Sequence, residues 1–397
     1  MRSTTLRRWW LATVAVTALL LGLTNPATGR PSGDDVLRSP LSGKVPMLRA
    51  AGTAANSGHH GGGATVVADH LNNPRGLDLR HGGLYVAEAG RGGDTCIGET
   101  PEEQTCVGLT SSITRVRHGH QRRIVTGLLS AAGPDGTFAG GAHDVSVARR
   151  GGGLFMIMAT LGCPDQVPPG LPAEVLRQSG KLLRGPARRV VADITAFECA
   201  NDPDGQGPES DPYSVYAASN RHQVVADAAG DSILDVRDGR VSLLAVIPSS
   251  ENGSDQVPTS VTRGPDGAYY VGTLAEGAGN GGAKVWRIVP GHAPEVYADG
   301  LTAVVDIAFG PDGSLYASEF LVDLTSETDP SGAWCGSGPP AGGRCWARAR
   351  CSSPAGSRST GTATSMWPTG ASCPPQEAPT RCSLRTPAGR WCGCPRH

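Results

Sequence analysis

The sequence is poor in aromatic residues and in net charge. Phenylalanine, tryptophan and tyrosine together make up 5% of the 397 residues, and the formal net charge is -1. A near-neutral chain offers no electrostatic attraction to nucleic acid, which excludes nucleic acid as a partner. The 56 glycines and 31 prolines exceed the usual share and argue against a long helical bundle. A hydrophobic content of 39% still suffices for a folded core.

Several catalytic and nucleotide-binding motifs are also missing. The chain contains no G-x-S-x-G elbow, no H-E-x-x-H pair and no phosphate-binding loop that ends in Gly-Lys-Ser or Gly-Lys-Thr. No CxxC pair occurs before residue 330, so a zinc site has little support. These absences argue against the common hydrolase and nucleotide-binding classes that such motifs identify.

Long hydrophobic runs are limited to one, at the amino terminus. A basic segment precedes an uncharged apolar run of 15 residues, 9–23, and small residues follow it. This order is typical of a secretory signal peptide, and the run is short for a membrane span. We predict a signal peptide at 1–29, a flexible leader at 30–63 and an extracellular protein that has no membrane contact after cleavage. An uncleaved anchor is the alternative.

One sequence pattern recurs through residues 64–328. A short alternating strand is followed by a Gly-containing turn and an apolar strand, and each unit has one anchor residue: Tyr85, Phe155, Val225, Tyr270 and Tyr316. The anchors are 70, 70, 45 and 46 residues apart. A period near 45 is typical of a four-stranded propeller blade, and a period of 70 indicates a blade with an insertion. We predict an all-β fold, a β-propeller with about five intact blades; a β-sandwich with coincidental spacing is the alternative.

Several of these segments resemble one protein family. The runs 73–77, 84–90 and 224–230, together with the loop that carries Cys96 and Cys106, are similar to the ScyD/ScyE family of secreted proteins. The resemblance spans residues 64 to about 325 and implies a six-bladed propeller of the NHL type. It implies little about chemistry, so the function has to be argued from individual residues.

Four cysteines lie in the repeat region. Cys96 and Cys106 share one loop, and Cys163 and Cys199 bracket an insertion in the next unit. In an exported chain, such pairs favour two local disulfides, each of which closes a loop. Free or metal-bound thiols are the alternative.

Alignment of the units places two columns of residues on the innermost strands, which face the central channel of a propeller. The first column contains Gly76, Asp144, Ser214, Ser260 and Asp306, and the column before it contains Arg75, His143, Tyr213, Thr259 and Val305. We predict that these side chains form a polar funnel at the channel mouth, where propellers usually bind their ligands.

Acidic residues in the first column, and a histidine beside them, are candidates for metal binding or acid–base catalysis. Asp144 and Asp306 are candidate ligands for calcium or another divalent cation, and His143 is a candidate general base. The alternative is that these groups only cap and solvate the channel. Glu88 and Glu319 recur in later strands, where we expect solvated strand ends rather than an acid/base pair.

The composition changes after about residue 330. Residues 331–397 hold seven of the 11 cysteines, four of the seven tryptophans and one acid, Glu377. When codons are read two nucleotides late, three segments of this tail can encode blade-like sequence. We predict that 329–397 is a frameshifted sixth blade and that the last intact strand, near 315–321, lacks its partner. A genuine cysteine-rich tail is the alternative.

The sequence therefore predicts a secreted binding or scaffold propeller without catalysis. Its partner would be an unknown small molecule or an extracellular protein. The alternative is a metal-dependent hydrolase or lyase of the lactonase type, with its site at the channel mouth. Propellers host both classes of function, so the fold alone does not decide between them.

Overall fold

A computed structural model describes residues 66–98, 100, 104–250, 252–320 and 333–337. The predicted signal peptide, the leader and residues 338–397 lie outside the described residues. The described chain is built almost entirely from antiparallel strands, with two short helices, α1 (Ala173–Leu176) and α2 (Ile194–Asn201). The predicted all-β fold class is confirmed.

The strands form five consecutive sheets. The first sheet contains β1 (Pro74–Arg80), β2 (Gly83–Glu88), β3 (Thr95–Ile97), β4 (Thr105–Arg117) and β5 (His120–Ala132). The second contains β6 (Ala142–Val147), β7 (Leu154–Met158), β8 (Lys181–Arg184) and β9 (Arg189–Asp193). The third contains β10 (Pro212–Ser219), β11 (His222–Asp227), β12 (Ser232–Arg237) and β13 (Arg240–Val246). The fourth contains β14 (Pro258–Arg263), β15 (Tyr269–Thr273), β16 (Ala283–Ile288) and β17 (Glu295–Leu301), and the fifth contains β18 (Val304–Phe309), β19 (Leu315–Glu319) and β20 (Ala333–Ser337).

The first strand of every sheet lies against the first strand of the next. We call these five the inner strands, and they pack in the order β1, β6, β10, β14 and β18. Sheets that follow one another around their inner strands make a β-propeller, which confirms the predicted fold. The number of blades stays a prediction. Among the described residues, β18 and β1 do not pack against each other as the other neighbouring inner strands do.

The hydrophobic core lies between adjacent sheets. Successive residues of a strand point to opposite faces, so Val224 of β11 packs towards the fourth sheet and Val225 packs towards the second. Tyr269 and Tyr270 of β15 divide in the same way between the third and fifth sheets. Strands that are buried on both faces need apolar residues at consecutive positions, which explains the continuous apolar runs of the repeat.

The fifth sheet corrects one prediction about the tail. β19 was expected to lack a partner, but it pairs along its whole length with β20, from Leu315 opposite Ser337 to Glu319 opposite Ala333. That expectation is wrong, because a strand forms inside the segment 329–397, which we predicted to be frameshifted. The remainder of that segment lies outside the described residues.

Both expected disulfides are present. Cys96 of β3 is bonded to Cys106, which lies directly opposite it on β4. Cys163 is bonded to Cys199 and ties the segment after β7 to helix α2. Two disulfides are compatible with an exported protein, and no helix of the described residues has the length and apolarity needed to cross a membrane.

We expect both disulfides to stabilise the fold by closing loops. Replacement of Cys163 and Cys199 by serine opens a loop of 36 residues and should lower the free energy of unfolding by about 4 kcal/mol. The matched double variant of Cys96 and Cys106 opens a loop of 10 residues and should lose about 3 kcal/mol. Urea unfolding in non-reducing buffer measures both losses. Free thiols at either pair in the purified exported protein would contradict the assignment.

Candidate functional site

A β-bulge occurs near the start of every inner strand. At the same place in each sheet, the pairing of the inner strand with the second strand shifts its register. The inner-strand residues left without a paired residue by these shifts are Arg75 and Gly76, His143, Tyr213, Thr259 and Val305. A bulge adds one residue to a strand, bends it and re-aims a side chain. The column that begins with Arg75 is therefore a ring of bulge residues, and the bulges direct them to one place.

Buried carboxylates hold the loops that lead into the inner strands. Glu88 accepts the backbone N–H of Asn72 at 2.6 Å, Asp227 accepts that of Asp211 at 2.6 Å, and Glu319 accepts that of Thr302 at 2.6 Å. Each carboxylate ends the second strand of its sheet and fixes the chain just before the first strand.

The expectation that Glu88 and Glu319 are solvated strand ends is therefore wrong. Both side chains are buried, and Glu88 also accepts hydrogen bonds from Arg123 at 2.7 Å and Thr114 at 2.5 Å. Burial opposes the charge of Glu88, but these hydrogen bonds outweigh it and hold its pKa below the ordinary value. The two glutamates are structural ties, because a buried carboxylate persists only when donors surround it.

One cavity lies where the bulges converge. The cavity has a volume of about 40 Å³, counted as the space that the centres of water molecules can occupy. Its lining residues come from all five inner strands: Arg75, Gly76, His143, Asp144, Tyr213, Ser214, Thr259, Val305 and Asp306. Nine of the ten residues in the two predicted columns line this cavity. The tenth, Ser260, donates a hydrogen bond to Asp306 at 2.7 Å. The sequence columns thus identify residues that the fold brings together.

Most residues of the first column join neighbouring inner strands. Asp144 accepts hydrogen bonds from the hydroxyl of Ser214 and the N–H of Val215, both at 2.9 Å. The hydroxyl of Ser214 accepts the N–H of Val261 at 3.2 Å, and the hydroxyl of Ser260 accepts the N–H of Ile307 at 3.1 Å. Each contact crosses from one inner strand to the next, so these side chains stabilise the ring.

Gly76 and Asp144 fit together closely. A Cβ atom at Gly76 would lie 2.2 Å from Oδ1 of Asp144, so no other residue fits there unless Asp144 moves. The same Oδ1 accepts the N–H of Val145 at 2.7 Å, so both oxygens of Asp144 are engaged by the protein. Among the described residues, no three His, Cys, Asp or Glu side chains are grouped so that they could hold a metal ion. Binding of a divalent cation by Asp144 and Asp306 stays a prediction.

Burial changes the acidity of these two carboxyl groups. Desolvation raises the pKa of Asp144 to about 8, against the opposing hydrogen bonds from Val215 and Ser214 and with a further increase from the charge of Asp306. Desolvation also raises the pKa of Asp306 to about 6. Asp144 is therefore mostly neutral at pH 7, whereas Asp306 is mostly ionised.

Arg75 supplies a cation to the cavity. Its Nη2 donates a hydrogen bond to the carbonyl oxygen of Ala139 at 2.6 Å. No carboxylate of the described chain lies within 4.0 Å of its guanidinium, in contrast to Arg149 and Arg123, which pair with Asp78 and Glu88. A half-buried guanidinium retains unused donors, which favours the binding of an anionic group.

His143 is buried and held in one orientation. Its Nδ1 lies 3.1 Å from the carbonyl oxygen of Pro212, which can only accept, so Nδ1 carries the proton and Nε2 is left as an acceptor. Its ring centroid lies 4.9 Å from that of Tyr213. Burial and the charge of Arg75 lower the pKa of His143 to about 3. The imidazole is therefore neutral, and Nε2 has no hydrogen-bond partner among the described residues.

Asp211 belongs to the site, and the sequence analysis missed it. Its Oδ1 lies 3.6 Å from Nδ1 of His143, is buried and accepts no hydrogen bond from the described residues. Burial and the charge of Asp227 raise the pKa of Asp211 to about 7. The aligned column two positions before the bulge residues would have shown the signal, because Asp211 is the only acid among its counterparts Asn73, Gly141, Val257 and Ala303.

Comparison with known proteins gives distant structural neighbours. No family model and no curated protein matches the chain. A catalytically inactive virginiamycin B lyase from Staphylococcus aureus, solved with quinupristin, is 12% identical over 72% of this chain and 73% of its own, with a TM-score of 0.36. A gluconolactonase from Xanthomonas campestris is 14% identical over 63% of this chain and 70% of its own, with a TM-score of 0.37. Similarity at this level carries no argument about the chemistry of this chain.

The raised pKa values predict how stability depends on pH. A carboxyl group whose pKa is higher in the folded state binds its proton more tightly there, so the free energy of unfolding falls as pH rises through the folded pKa. We expect the melting temperature to fall between about pH 4 and about pH 8, and Asp144→Asn to flatten this slope up to the folded pKa of Asp144, about 8. The exposed Asp238 provides the control variant Asp238→Asn, which should keep the wild-type slope. Differential scanning fluorimetry measures the profiles, and a wild-type melting temperature that rises over this range would contradict the assignment.

Proposed function

We propose that this protein is a secreted β-propeller of the ScyD/ScyE type that binds a small anionic molecule, such as a carboxylate, at the mouth of its channel. The observation that carries the proposal is the guanidinium of Arg75, which lines the cavity without a carboxylate partner among the described residues. Around it lie a neutral imidazole at His143 and a mostly neutral carboxyl at Asp144. The small cavity suits a compact ligand better than a protein segment.

The charges in the cavity also constrain the rest of the ligand. Asp306 is mostly ionised at pH 7 and Nε2 of His143 is an acceptor, so both favour a hydrogen-bond donor. A ligand with a carboxylate at one end and a hydroxyl at the other would satisfy Arg75 and these acceptors together. The proposal therefore favours small hydroxy acids over simple cations or apolar molecules.

The test is a comparison of charged and neutral probes of the same shape. We expect calorimetry to show binding of lactate and acetate, much weaker binding of acetamide, and affinity that falls as salt screens the charge. Arg75→Gln should weaken lactate binding about tenfold or more, which corresponds to at least about 1.4 kcal/mol.

The control is Arg240→Gln, because Arg240 is exposed and lies at the turn between β12 and β13. This variant should bind lactate as the wild type does. Equal binding of acetate and acetamide, or an unchanged affinity in Arg75→Gln, would contradict the proposal.

A metal-dependent hydrolase or lyase of the lactonase type is the second candidate. It is favoured by His143, whose Nε2 is an open acceptor in the same cavity as the carboxylate of Asp306. If this function is correct, glucono-1,5-lactone should be hydrolysed faster when calcium is added, and His143→Gln should abolish the increase. A pH-stat measures the rate, and hydrolysis no faster than the buffer blank with calcium, magnesium and zinc would reject this candidate.

We further propose that the reading frame changes between residues 321 and 333. This proposal is supported by the composition of 331–397 and by the end of the repeat pattern. The nucleotide sequence across this segment decides the question. Codons that do not yield a blade-like strand in the shifted frame would reject it.

A further inference from the structure

One buried carboxylate oxygen next to the channel cavity forms no hydrogen bond within the described fold. Oδ1 of Asp211 is buried and accepts no hydrogen bond from the described residues, although it lies 3.6 Å from Nδ1 of His143. Asp227, which lies beside it, accepts hydrogen bonds from Ser210 and from the N–H of Asp211. Buried carboxylates in native proteins are normally satisfied, so the exception at Asp211 requires an explanation.

We propose that Asp211 is a positioning residue for His143, and that the pair presents Nε2 as a proton acceptor to the molecule bound in the channel cavity. The pair has the arrangement of a carboxylate that orients an imidazole through Nδ1 while the opposite nitrogen faces the ligand. The distance of 3.6 Å is longer than a hydrogen bond. Such contacts are often long in the absence of a ligand and shorten when it binds.

The surroundings of His143 fix the direction of proton transfer. Nδ1 already carries a proton towards the carbonyl oxygen of Pro212, so only Nε2 can accept another. When Nε2 takes a proton from an O–H or C–H of the ligand, the bonding electrons stay on the ligand and a new N–H forms. The positive charge then lies on the imidazole next to Asp211, and the new negative charge lies on the ligand atom that lost the proton. No oxidant, metal or further reactant is needed for this step.

The charged and titratable groups that face His143 explain why proton transfer to Nε2 requires a bound ligand. Arg75 faces the ring from β1, Asp144 is its neighbour on β6, and Asp211 and Tyr213 face it from the start of β10. Burial is the largest cause of the low pKa of His143, and the charge of Arg75 is the second. An anion bound to Arg75 offsets the second cause, so binding should raise the pKa of the imidazole.

A second His–Asp pair in the same protein provides an internal reference. His222 contacts Oδ1 of Asp235 through Nε2 at 2.5 Å, and Asp235 also accepts a hydrogen bond from Arg237. This pair lies on β11 and β12, away from the channel cavity, and its Nε2 is occupied. It should therefore behave as a purely structural pair, whereas His143 should respond to ligand.

The experiment is nitrogen-15 NMR of the full exported chain labelled only at histidine, with His143→Gln and His222→Gln used for assignment. We expect the wild type to show one tautomer of His143, protonated at Nδ1 and unprotonated at Nε2. In Asp211→Asn the Nδ1 proton of His143 should move upfield, because the nearby negative charge is removed while the hydrogen bond to Pro212 stays. Asp235→Asn should change His222 and leave His143 unchanged.

A second measurement separates proton acceptance from a merely structural role. With saturating acetate at about pH 6, a larger fraction of His143 should carry both protons in the wild type than in Asp211→Asn, while His222 should not respond to acetate. A wild-type His143 protonated at Nε2 overturns the proposal even if Asp211→Asn does not fold. Unchanged His143 signals in Asp211→Asn, or equal protonation with acetate, overturn it as well.

This inference rests on the proposed function only for the ligand that supplies the proton. The tautomer of His143 and the response of its Nδ1 proton to Asp211→Asn are measured without ligand, so they test the pair alone. If acetate does not bind but the Nδ1 proton responds to Asp211→Asn, the anion site is rejected and the pair is retained. If acetate binds but the Nδ1 proton does not respond, the pair is rejected and the anion site is retained.

Discussion

The hydrogen bonds that pass from one inner strand to the next are the constraint on which the rest of the structure depends. Inner strands of a propeller do not form a continuous sheet with one another, so side chains have to satisfy the backbone groups that face the channel. Asp78 accepts the N–H of Val147 at 2.7 Å, and Ser146 accepts that of Ala217 at 3.1 Å. In the same way, Asp144, Ser214 and Ser260 each accept a backbone N–H of the next inner strand.

This constraint explains why one column of the repeat is uniform and the other is varied. A side chain that accepts a neighbour's N–H must be short and polar, which restricts the first column to Asp or Ser, with Gly76 allowing Asp144 to approach. The bulge residues before it accept no such N–H, although His143 and Thr259 donate hydrogen bonds to the carbonyl oxygens of Pro212 and Val304 on the next inner strand. Arg75, His143 and Tyr213 differ from blade to blade and line the cavity together with residues of the first column. The recurring residues therefore stabilise the ring, and the varied residues add the guanidinium, the imidazole and the phenol of the cavity.

The sequence predicts the parts of this molecule that depend on periodicity. Alternation, Gly-containing turns and spacing predict the sheets, the cavity columns and the disulfides, since each depends on neighbours in the chain. The environment of Glu88 is not predictable in this way, because Arg123, Thr114 and Asn72 reach it from three separate segments. Asp211 was missed for a related reason: its contact with His143 joins the third sheet to the second across 68 residues of chain. Bulges have no signature in the alternation, so the backbone geometry that turns the varied column towards the cavity is visible only in three dimensions.

The same ring shows where the described chain is incomplete. Asp306 occupies in β18 the position that Asp144 occupies in β6, yet its Oδ1 bonds only Ser260 and the N–H of Ile307 next to it in the chain. Asp144 also accepts an N–H from the following inner strand. Among the described residues, no following strand reaches Asp306, and β18 does not pack against β1 as its counterparts pack against their neighbours. An inner strand after β18 would supply the N–H donor that Asp306 lacks, and the proposed change of reading frame predicts such a strand.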